Sequence, residues 1–491
     1  MVRRRIRHRI HRMRRVHHAH DVHETRRRDR TRRDGSKGGS EEMTTKIAIV
    51  GAGCAGLGAA TALMTQNGED VTVTLIEANE WIGGRARTTV DGLPVDLGPQ
   101  FIQDPDGNPW ARIAEKRGYE YENPPVDGQY RISDQGIWKT VGFDAAIGWM
   151  DDNLSTKFRT ATGFRNAPIL SPDEQDMIRS HQGMMLSLGS NGLGAIGESA
   201  EPWQYVASDR DRQKDPPYKP NWYVKGGLGK LVSDYGDWLL EQFGRRLSLL
   251  VDSEVTGIRE DEEGTVSVST ADDEEREFDF CIVTIPCGEV KKIRFDPELP
   301  GRRTRADQFI RLGSYKKVAF KPSQFPTKIG SKIEEKVEYY VYDQDRQGVW
   351  QYFRLPTDPS ILICVTAGDF ARWLDGQPDE YAARIVVDLL TDAYPNSDAD
   401  FTPAHGRTVV THWTTTPHIH GAYSYTWFDP ALDPDNDVPL QARLEIAKPH
   451  GRIHFAGEAT CTQAYGTIHG AYNSGVRAAD EILAEIARSR G

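Results

Sequence analysis

The first residues whose types and spacing predict chemistry are three glycines near position 50. They form the pattern Gly51-x-Gly53-x-x-Gly56. The first glycine permits a tight turn, the second lets the backbone approach a diphosphate, and the third lets a helix pack against a strand. Glu77 follows at the position where an acid accepts hydrogen bonds from ribose hydroxyls and repels the extra phosphate of NADP. The pattern predicts a site for an ADP-containing dinucleotide such as FAD or NAD.

A strand, a helix and a second strand must hold this glycine loop. Residues 46–50 are a short β-branched run that ends at a glycine, as a buried parallel strand does. Residues 55–66 are rich in Ala and Leu and end before Asn67-Gly68, which favours a helix stop. Residues 71–76 read as the next strand. The order is that of the opening β-α-β unit of a dinucleotide-binding domain.

The remaining segments indicate two interleaved domains. Strand patterns recur at 251–259, 265–270 and 278–285, and residues 453–488 read as strand, Gly-rich turn and helix. A chain of 491 residues is long for one core. We therefore predict an α/β fold: a Rossmann-like FAD-binding domain assembled from discontinuous segments, plus an inserted α+β substrate-binding domain. The predicted boundaries are 1–44 for a disordered basic tail, 45–104, 222–295 and 452–491 for the FAD-binding domain, and 105–221 and 296–451 for the substrate-binding domain.

Charge is unevenly distributed along the chain. Residues 1–43 hold 15 Lys and Arg against 6 Asp and Glu, a net charge of +9, so a total of −11 leaves −20 for the rest (−11 less +9). An acidic body disfavours nucleic acid as a partner and mildly favours cationic substrates. The tail has almost no apolar residues and lacks a secretory signal. We interpret Met43 as the natural start and residues 1–42 as dispensable.

Cysteine usage and hydropathy bear on the compartment. Five scattered cysteines, an odd number, fit reduced thiols better than a disulfide framework, and none of their spacings resembles a zinc site. No apolar run reaches the 18 residues that a membrane span needs. We expect a cytoplasmic protein with no metal and no membrane partner, and we keep a homodimer as an open expectation.

Further motifs resemble those of the flavin-containing amine oxidase family. Gly83-Gly84-Arg85 after Glu77 resembles its second flavin signature, and Asp96-Leu-Gly98-Pro99-Gln100 resembles the acid-Leu-Gly segment beside the flavin ring. A middle segment around Val255 and a terminal signature from Phe455 to Gly475 also match. Small residues in that terminal segment predict a helix with one bare face able to lie against the cofactor; they are Gly470, Ala471, Ser474, Gly475 and Ala478.

The resemblance implies FAD as the cofactor. Monoamine oxidases carry a flavin-linking cysteine where this chain has Ala422, so we expect non-covalent FAD. The residues implied to bind it are Gly51, Gly53, Ala55, Gly56, Glu77, Gly84, Arg85, Gly98, Pro99, Gln100, Val255, Gly457, Glu458, Thr467 and Ile468.

The resemblance also implies four catalytic positions. Lys317 matches the lysine that holds a water on the flavin and assists reoxidation by O2, and we expect Lys316 to point outward. Tyr423 matches one aromatic wall that guides a neutral amine, Thr467 stands at the second wall, and Trp413 belongs to the aromatic segment over the flavin. Plain core packing is the alternative for Tyr423 and Trp413.

The implied reaction is FAD-dependent oxidation of an amine to an imine, which hydrolyses to an aldehyde, with O2 reduced to H2O2. The substrate could be a polyamine, a monoamine or an amine-bearing biosynthetic intermediate. L-amino acid oxidases carry a carboxylate-binding arginine close to the position of Phe101; Arg131 or Arg354 could replace it. An L-amino acid oxidase therefore stays an alternative. An alternative of another class is a non-catalytic flavoprotein with a nucleic-acid-binding basic arm.

Overall fold

The computed structural model describes residues 44–66, 70–89, 92–123, 127–134, 137–142, 221–327, 332–335, 337–343, 348–426 and 438–490. The predicted basic tail lies outside the described residues, as does 143–220 of the predicted substrate-binding domain. Within the described part of the chain, no helix is long and apolar enough to cross a membrane.

The described elements alternate between strands and helices. The strands are β1 Thr45–Val50, β2 Val71–Ile76, β3 Tyr121–Glu122, β4 Asp127–Asp134, β5 Ile137–Gly142, β6 Tyr223–Val224, β7 Leu247–Leu250, β8 Val255–Glu260, β9 Val266–Thr270, β10 Glu275–Phe278, β11 Phe280–Val283, β12 Arg294–Asp296, β13 Ile310–Leu312, β14 Tyr315–Gln324, β15 Val337–Asp343, β16 Gly348–Leu355, β17 Asp358–Ala367, β18 Asp400–Val410, β19 Ser424–Thr426 and β20 Ile453–Phe455. The α-helices are α1 Cys54–Gln66, α2 Pro109–Lys116, α3 Leu228–Phe243, α4 Cys287–Val290, α5 Gly301–Ala306, α6 Gly368–Asp375, α7 Asp379–Ala393, α8 Val438–Ala447 and α9 Ile468–Arg490. Gly244–Arg246 and Glu458–Thr460 form 3₁₀ turns.

A five-stranded parallel sheet carries the glycine loop. Its order is β20-β11-β1-β2-β7, and every neighbouring pair is parallel. Strand β1 lies at its centre, with Ile49 opposite Ile282 on one side and Leu75 on the other. β-branched and aliphatic residues fill these strands because both faces of the sheet are covered. Helices α1, α3 and α9 pack on one face, and the four-stranded sheet β10-β9-β8-β12 packs on the other. A mixed α/β fold with a parallel dinucleotide-binding sheet, as predicted, is confirmed; the domain boundaries stay a prediction.

Helices α1 and α9 pack against each other with very little side-chain volume between them. A Cβ built on Gly475 would lie 2.0 Å from the carbonyl oxygen of Ala55, and one on Gly58 would lie 2.2 Å from that of Tyr472. The predicted bare face of α9 therefore meets α1 over much of its length, and the expectation that this face lies against a cofactor was wrong for Gly475. Close helix contact needs glycine at such crossings.

A seven-stranded sheet forms the second large element, in the order β18-β14-β17-β16-β15-β4-β5. It is antiparallel except where β15 runs parallel to β4. Helices α6 and α7 cover one face, where Val318, Phe320 and Leu362 are buried. The opposite face buries Ala319, Phe353 and Ile363. Successive residues of a strand alternate between these faces, which decides what each lysine of β14 can contact.

Candidate active site

A cavity of about 580 Å³ lies between the glycine loop and the seven-stranded sheet. That volume falls within the usual range for a cofactor or ligand site. We call one part the glycine-loop end, which is lined by Gly51, Gly53, Glu77, Ser253 and Val255. We call the other part the sheet end, which is lined by Phe101, Tyr223, Tyr315, Gln351, Phe353, Val365 and Tyr423.

The three glycines at the loop have three different geometries. Gly51 has φ +108°, and a Cβ there would lie 2.8 Å from Thr284 Oγ1. A Cβ on Gly56 would lie 2.1 Å from the carbonyl oxygen of Gly51. A Cβ on Gly53 would find its nearest atom, the Gly83 carbonyl oxygen, 3.9 Å away. Protein packing requires the first and third glycines, whereas the second keeps cavity space open for a ligand.

Glu77 is buried and fixed by backbone donors. Its Oε2 accepts from the Ala52 amide at 2.8 Å, and its Oε1 accepts from the Asn79 amide at 2.9 Å and from Asn79 Nδ2 at 3.1 Å. The carboxylate therefore ties the glycine loop to the end of β2 while lining the cavity. A carboxylate held in this way is preorganised to accept further hydrogen bonds from hydroxyls.

Arg85 and Glu458 form an ion pair on the cavity wall. Arg85 Nη1 lies 3.0 Å from Glu458 Oε1 and also donates to the Ala422 carbonyl. Glu458 further accepts from Ser424 N at 3.0 Å, Ser424 Oγ at 2.7 Å and Gly466 N at 2.8 Å. Burial would raise the pKa of Glu458, but Arg85 and these donors outweigh it and lower that pKa. The pair therefore joins a segment that precedes the seven-stranded sheet in the chain to segments that follow it.

Gln100 brings an amide to the cavity without a protein partner. Its side chain is buried, and its Nε2 has no hydrogen-bond partner among the described residues. Gln100 lines the cavity together with Gly98 and Pro99. An orphaned buried donor is costly unless a ligand or water accepts from it, so its position points to a polar group within the cavity.

Lys317 holds the segment beside the cavity through backbone carbonyls. Its Nζ donates to the carbonyl oxygen of Asp96 and, at 3.2 Å, to that of Gly98. Burial lowers the pKa of Lys317 to about 8, partly opposed by the carboxylate of Asp96. The lysine therefore exchanges its proton within the physiological range of pH, as a functional amine does.

The aromatic positions meet the same segment. Trp413 Nε1 donates to the Leu97 carbonyl at 3.0 Å, so the carbonyls of three successive residues, Asp96 to Gly98, accept from Trp413 and Lys317. Trp413 and Tyr423 both line the cavity. Thr467 lines it too, but its hydroxyl accepts from Gly470 N at 3.0 Å and donates to the Ala464 carbonyl at 2.7 Å. Thr467 thus caps helix α9.

The structure brings nearly all predicted site residues to one cavity. Lining it are Gly51, Gly53, Ala55, Glu77, Gly84, Arg85, Gly98, Pro99, Gln100, Val255, Trp413, Tyr423, Gly457, Glu458, Thr467 and Ile468. Gly56 and Lys317 stand behind this lining, Gly56 against the loop and Lys317 against the carbonyls of Asp96 and Gly98. Their roles in binding and catalysis stay predictions.

Lys316 was placed wrongly by the sequence. It lies on the opposite face of β14 from Lys317, yet its side chain is 0% exposed because helix α6 covers that face. Its Nζ lies 2.9 Å from Asp375 Oδ1. An alternating lysine in a strand faces solvent only when that face of the sheet is uncovered.

Of the two arginines that could replace the carboxylate-binding arginine, Arg354 and Arg131, only Arg354 has a side chain within the described part of the structure. Arg354 Nε donates to the Pro359 carbonyl at 2.6 Å, and its Nη2 lies 3.4 Å from Glu335, so it does not reach the cavity. Arg131 lies in β4, and its side chain is outside the described part. Phe101 lines the sheet end and packs on Tyr223 with ring centroids 5.4 Å apart.

Several lining residues had no motif. They are Asn221, Tyr223, Tyr315, Gln351, Phe353 and Val365. Tyr315 could have been inferred because it lies two residues before Lys317 on the same face of β14. Gln351 and Val365 join Lys317 in one cross-strand row, since Val365 pairs with both. That row depends on strand register, for which the sequence carries no local signal.

Comparison with known proteins agrees with this arrangement. A family model described as flavin containing amine oxidoreductase matches residues 176–483, and one described as NAD(P)-binding Rossmann-like domain matches 49–116. The chain is 25% identical over 461 residues to polyamine oxidase 4 of Oryza sativa subsp. japonica, covering 91% of this chain and 90% of that protein.

Two solved structures show the same fold. Cyclohexylamine oxidase from Brevibacterium oxydans IH-35A superposes with a TM-score of 0.67 at 20% identity, covering 90% of this chain and 100% of that one. Wild-type putrescine oxidase bound to putrescine gives a TM-score of 0.63 at 20% identity, with coverage of 90% and 99%.

Proposed function

The chain belongs to the family of flavin-containing amine oxidoreductases, and we propose that it oxidises a small amine without a carboxylate, using O2 as the acceptor. It is an FAD-dependent oxidoreductase. In the proposed reaction the C–H and N–H bonds of the amine are replaced by a C=N bond. The two electrons and two protons that leave the amine convert O2 to H2O2. Water then hydrolyses the imine to an aldehyde and a free amine or ammonia.

Several observations fit FAD. Gly53 leaves open space at the N-terminus of α1, where free N–H groups favour a diphosphate. Glu77 is placed to accept hydrogen bonds from ribose hydroxyls, and Gln100 Nε2 has no acceptor in the part of the chain that the structure describes. We propose that these residues and Val255 hold the cofactor, non-covalently because Ala422 offers no thiol for a link. When bound, FAD supplies the two-electron chemistry.

The chain's own groups would orient the amine and exclude water. Trp413 and Tyr423 present aromatic side chains to the cavity, and such rings attract an amine without binding it through a strong hydrogen bond. Lys317, with a pKa of about 8, would carry its charge below that pH and lose it above. We propose that the charged form assists the step with O2, because a nearby cation favours electron transfer to a neutral acceptor.

The charge of the sheet end carries the substrate proposal. Among the described lining residues the sole arginine is Arg85, and Glu458 neutralises it. An amino-acid carboxylate at the sheet end would lie beside Phe101 and Tyr315, and the described lysines at or behind the cavity wall are already engaged: Lys317 donates to the carbonyls of Asp96 and Gly98, and Lys292 pairs with Glu289. Burying an unpaired carboxylate is strongly unfavourable. The L-amino acid oxidase alternative is disfavoured on this ground.

The charges of the residues that line the cavity also favour a monoamine over a polyamine. The rice relative is named for polyamines, whose further ammonium groups call for carboxylates. Of the described sheet-end residues, none is acidic; the acidic residues that line the cavity are Glu77, Glu254, Glu289 and Glu458. An amine with one aromatic or aliphatic substituent suits these aromatic walls better.

A matched pair of substrates tests the proposal. Phenethylamine and L-phenylalanine differ by one carboxylate, and peroxide release should give phenethylamine a kcat/KM at least about 100-fold higher, as expected when a buried charge has no partner. Spermidine serves as the polyamine comparison. Faster oxidation of L-phenylalanine would establish the amino-acid alternative instead. Anaerobic bleaching of the flavin by none of the three would favour a non-catalytic flavoprotein.

A further inference from the structure

Behind Trp413, on the helix-covered side of the seven-stranded sheet, lies a buried charged network. Lys316 Nζ lies 2.9 Å from Asp375 Oδ1 and 3.3 Å from His412 Nδ1. Asp375 Oδ2 accepts from Thr414 N at 3.2 Å and from Thr414 Oγ1. The side chains of Lys316 and Asp375 are 0% and 2% exposed. None of these groups faces the cavity.

The network binds the residues on both sides of Trp413, which lines the cavity. His412 and Thr414 flank Trp413, and each bonds to a member of the Lys316–Asp375 pair. His412 Nε2 also contacts Asp379 Oδ1 at 2.5 Å, which anchors it to the start of α7. The backbone of residues 412–414 is therefore fixed from the side that Trp413 itself does not face.

Lys316 and Lys317, which are adjacent in β14, thus fix the surroundings of Trp413 from opposite faces of the sheet. Lys317 holds the carbonyls of Asp96 and Gly98, and the indole of Trp413 donates to the carbonyl between them. Lys316 holds the segment that carries the indole. The backbone of Lys317 joins the two parts, because its N–H donates to Thr411 Oγ1 at 2.8 Å.

We propose that Lys316 and Asp375 are positioning residues that set the place of Trp413 in the cavity, acting through His412 and Thr414. A buried ion pair contributes little to stability compared with apolar residues of similar volume. The pair instead orients its neighbours. Asp375 accepts two hydrogen bonds from Thr414, and Lys316 donates one to His412, which an apolar pair could not do. The inference rests on the proposed role of Trp413 beside bound FAD.

The most specific test keeps the Lys316–Asp375 ion pair and removes one of its hydrogen bonds to the segment that carries Trp413. Thr414→Val removes the hydroxyl donor to Asp375 while preserving side-chain shape. The double variant Lys316→Met with Asp375→Leu removes both charges together and should fold, whereas a single change would leave a buried charge unpaired. Each should lower kcat/KM at least about tenfold for the best amine, the size of effect that misplacement by a fraction of an ångström produces.

Two further readouts distinguish positioning from general damage. The visible circular dichroism of bound FAD, recorded without substrate, should change in both variants because the indole moves relative to the flavin. In a Trp413→Ala background the same substitutions should lower kcat/KM by less than about twofold, since nothing remains to be positioned. Lys321→Met, which removes the partly exposed ion pair between Lys321 of the same strand and Asp358 of β17, is the control and should alter neither readout.

The outcomes separate the two proposals. Wild-type kinetics and wild-type visible dichroism in Thr414→Val and in the double variant would overturn the positioning role, as would losses that add fully to Trp413→Ala. If the double variant does not fold, Thr414→Val alone decides. A changed dichroism in an enzyme that oxidises no amine would retain the positioning role and reject the proposed function.

Discussion

The two ends of the cavity are built by different means. At the glycine-loop end the wall is mainly backbone: Gly51 and Gly53 line it, and the carboxylate of Glu77 is held by main-chain amides of Ala52 and Asn79. At the sheet end the wall is side chains from separate strands, such as Tyr315 and Gln351. Local steric rules determine the first wall, whereas strand register and side-chain identity determine the second. The first is therefore suited to a common cofactor and the second to a particular substrate.

The largest effect should come from closing the glycine loop. Gly56→Ala would place a Cβ 2.1 Å from the Gly51 carbonyl oxygen, so α1 and β1 must separate. We expect a loss of about 3 kcal/mol or more in the free energy of unfolding, at the upper end for overpacking. Thermal unfolding and the FAD content of the purified protein measure it.

Two glycines serve as controls for that result. Gly288→Ala meets its nearest atom, Leu312 Cδ1, at 3.6 Å and should change neither stability nor FAD content. Gly53→Ala should fold normally and bind FAD more weakly, because its Cβ enters the cavity space. A Gly56→Ala protein with wild-type stability would show that the loop is not as tight as its geometry indicates.

Glu458→Gln should give the next largest effect, because it breaks the Arg85–Glu458 ion pair on the cavity wall. Breaking a fully buried pair costs about 3–5 kcal/mol, and because the Arg85 side chain is 22% exposed we expect a loss of about 2–3 kcal/mol. The folded-state pKa of Glu458 is lowered, so its contribution is present above the unfolded carboxyl pKa and is lost as pH falls through the folded value.

Melting temperatures from pH 7 down to about pH 3 test this sign. The difference between wild type and Glu458→Gln should stay at its full size down to the unfolded carboxyl pKa of 4.5 and should narrow below that pH. Glu120→Gln, which alters an exposed pair with Lys225, is the control and should show no measurable difference at pH 7. A gap that stays constant with pH would contradict the charged state assigned to Glu458.

Sequence reasoning located the glycine loop and Glu77 from local spacing, because such a motif fixes its own backbone, and it located Lys317 from the resemblance of its segment to the amine oxidase family. The structure brings these residues to one cavity or directly behind its wall, and their roles stay predictions. Sequence reasoning failed at Lys316, since alternation along β14 gives the face but not whether helices cover that face. It also failed at Gln351 and Val365, which come together only through cross-strand pairing between distant segments. Tertiary register, absent from any single motif, builds the sheet end.

Lys317→Met should slow the reoxidation of the reduced enzyme by O2. Below pH 8 the wild-type amine is charged, and above it the charge is lost, since burial lowers its pKa to about 8. The rate of reaction of reduced enzyme with O2, followed by stopped-flow absorbance, should fall as pH rises through 8. The variant should be about 100-fold slower below pH 8 and independent of pH there, a loss typical of a positioned catalytic group.

The control for that measurement lies on the same strand. Lys321→Met changes a partly exposed lysine of β14 and should reoxidise like wild type at every pH. Measuring reoxidation separately matters, because the amine substrate itself titrates and would otherwise dominate the profile. An ionisation near pH 8 that persists in Lys317→Met would assign it to another group.

The smallest and most selective effect should come from Gln351→Leu at the sheet end. Gln351 is a buried amide among aromatic and aliphatic walls, in the same cross-strand row as Lys317 and Val365. An amide there can pair with a polar substituent on the amine. Replacing it should lower the ratio of kcat/KM for tyramine over phenethylamine, which differ by one hydroxyl, by about tenfold, as loss of one polar contact does. FAD affinity should not change, because Gln351 lies away from the glycine loop.

The control is Gln324→Leu. Gln324 is an exposed glutamine of β14 that donates to the Asp398 carbonyl at 2.6 Å, and its replacement should leave the ratio unchanged. An unaltered ratio in Gln351→Leu would mean that this row supports the wall without contacting the substrate, and selectivity would then belong to Tyr223 of β6 or to Phe353, two residues further along β16.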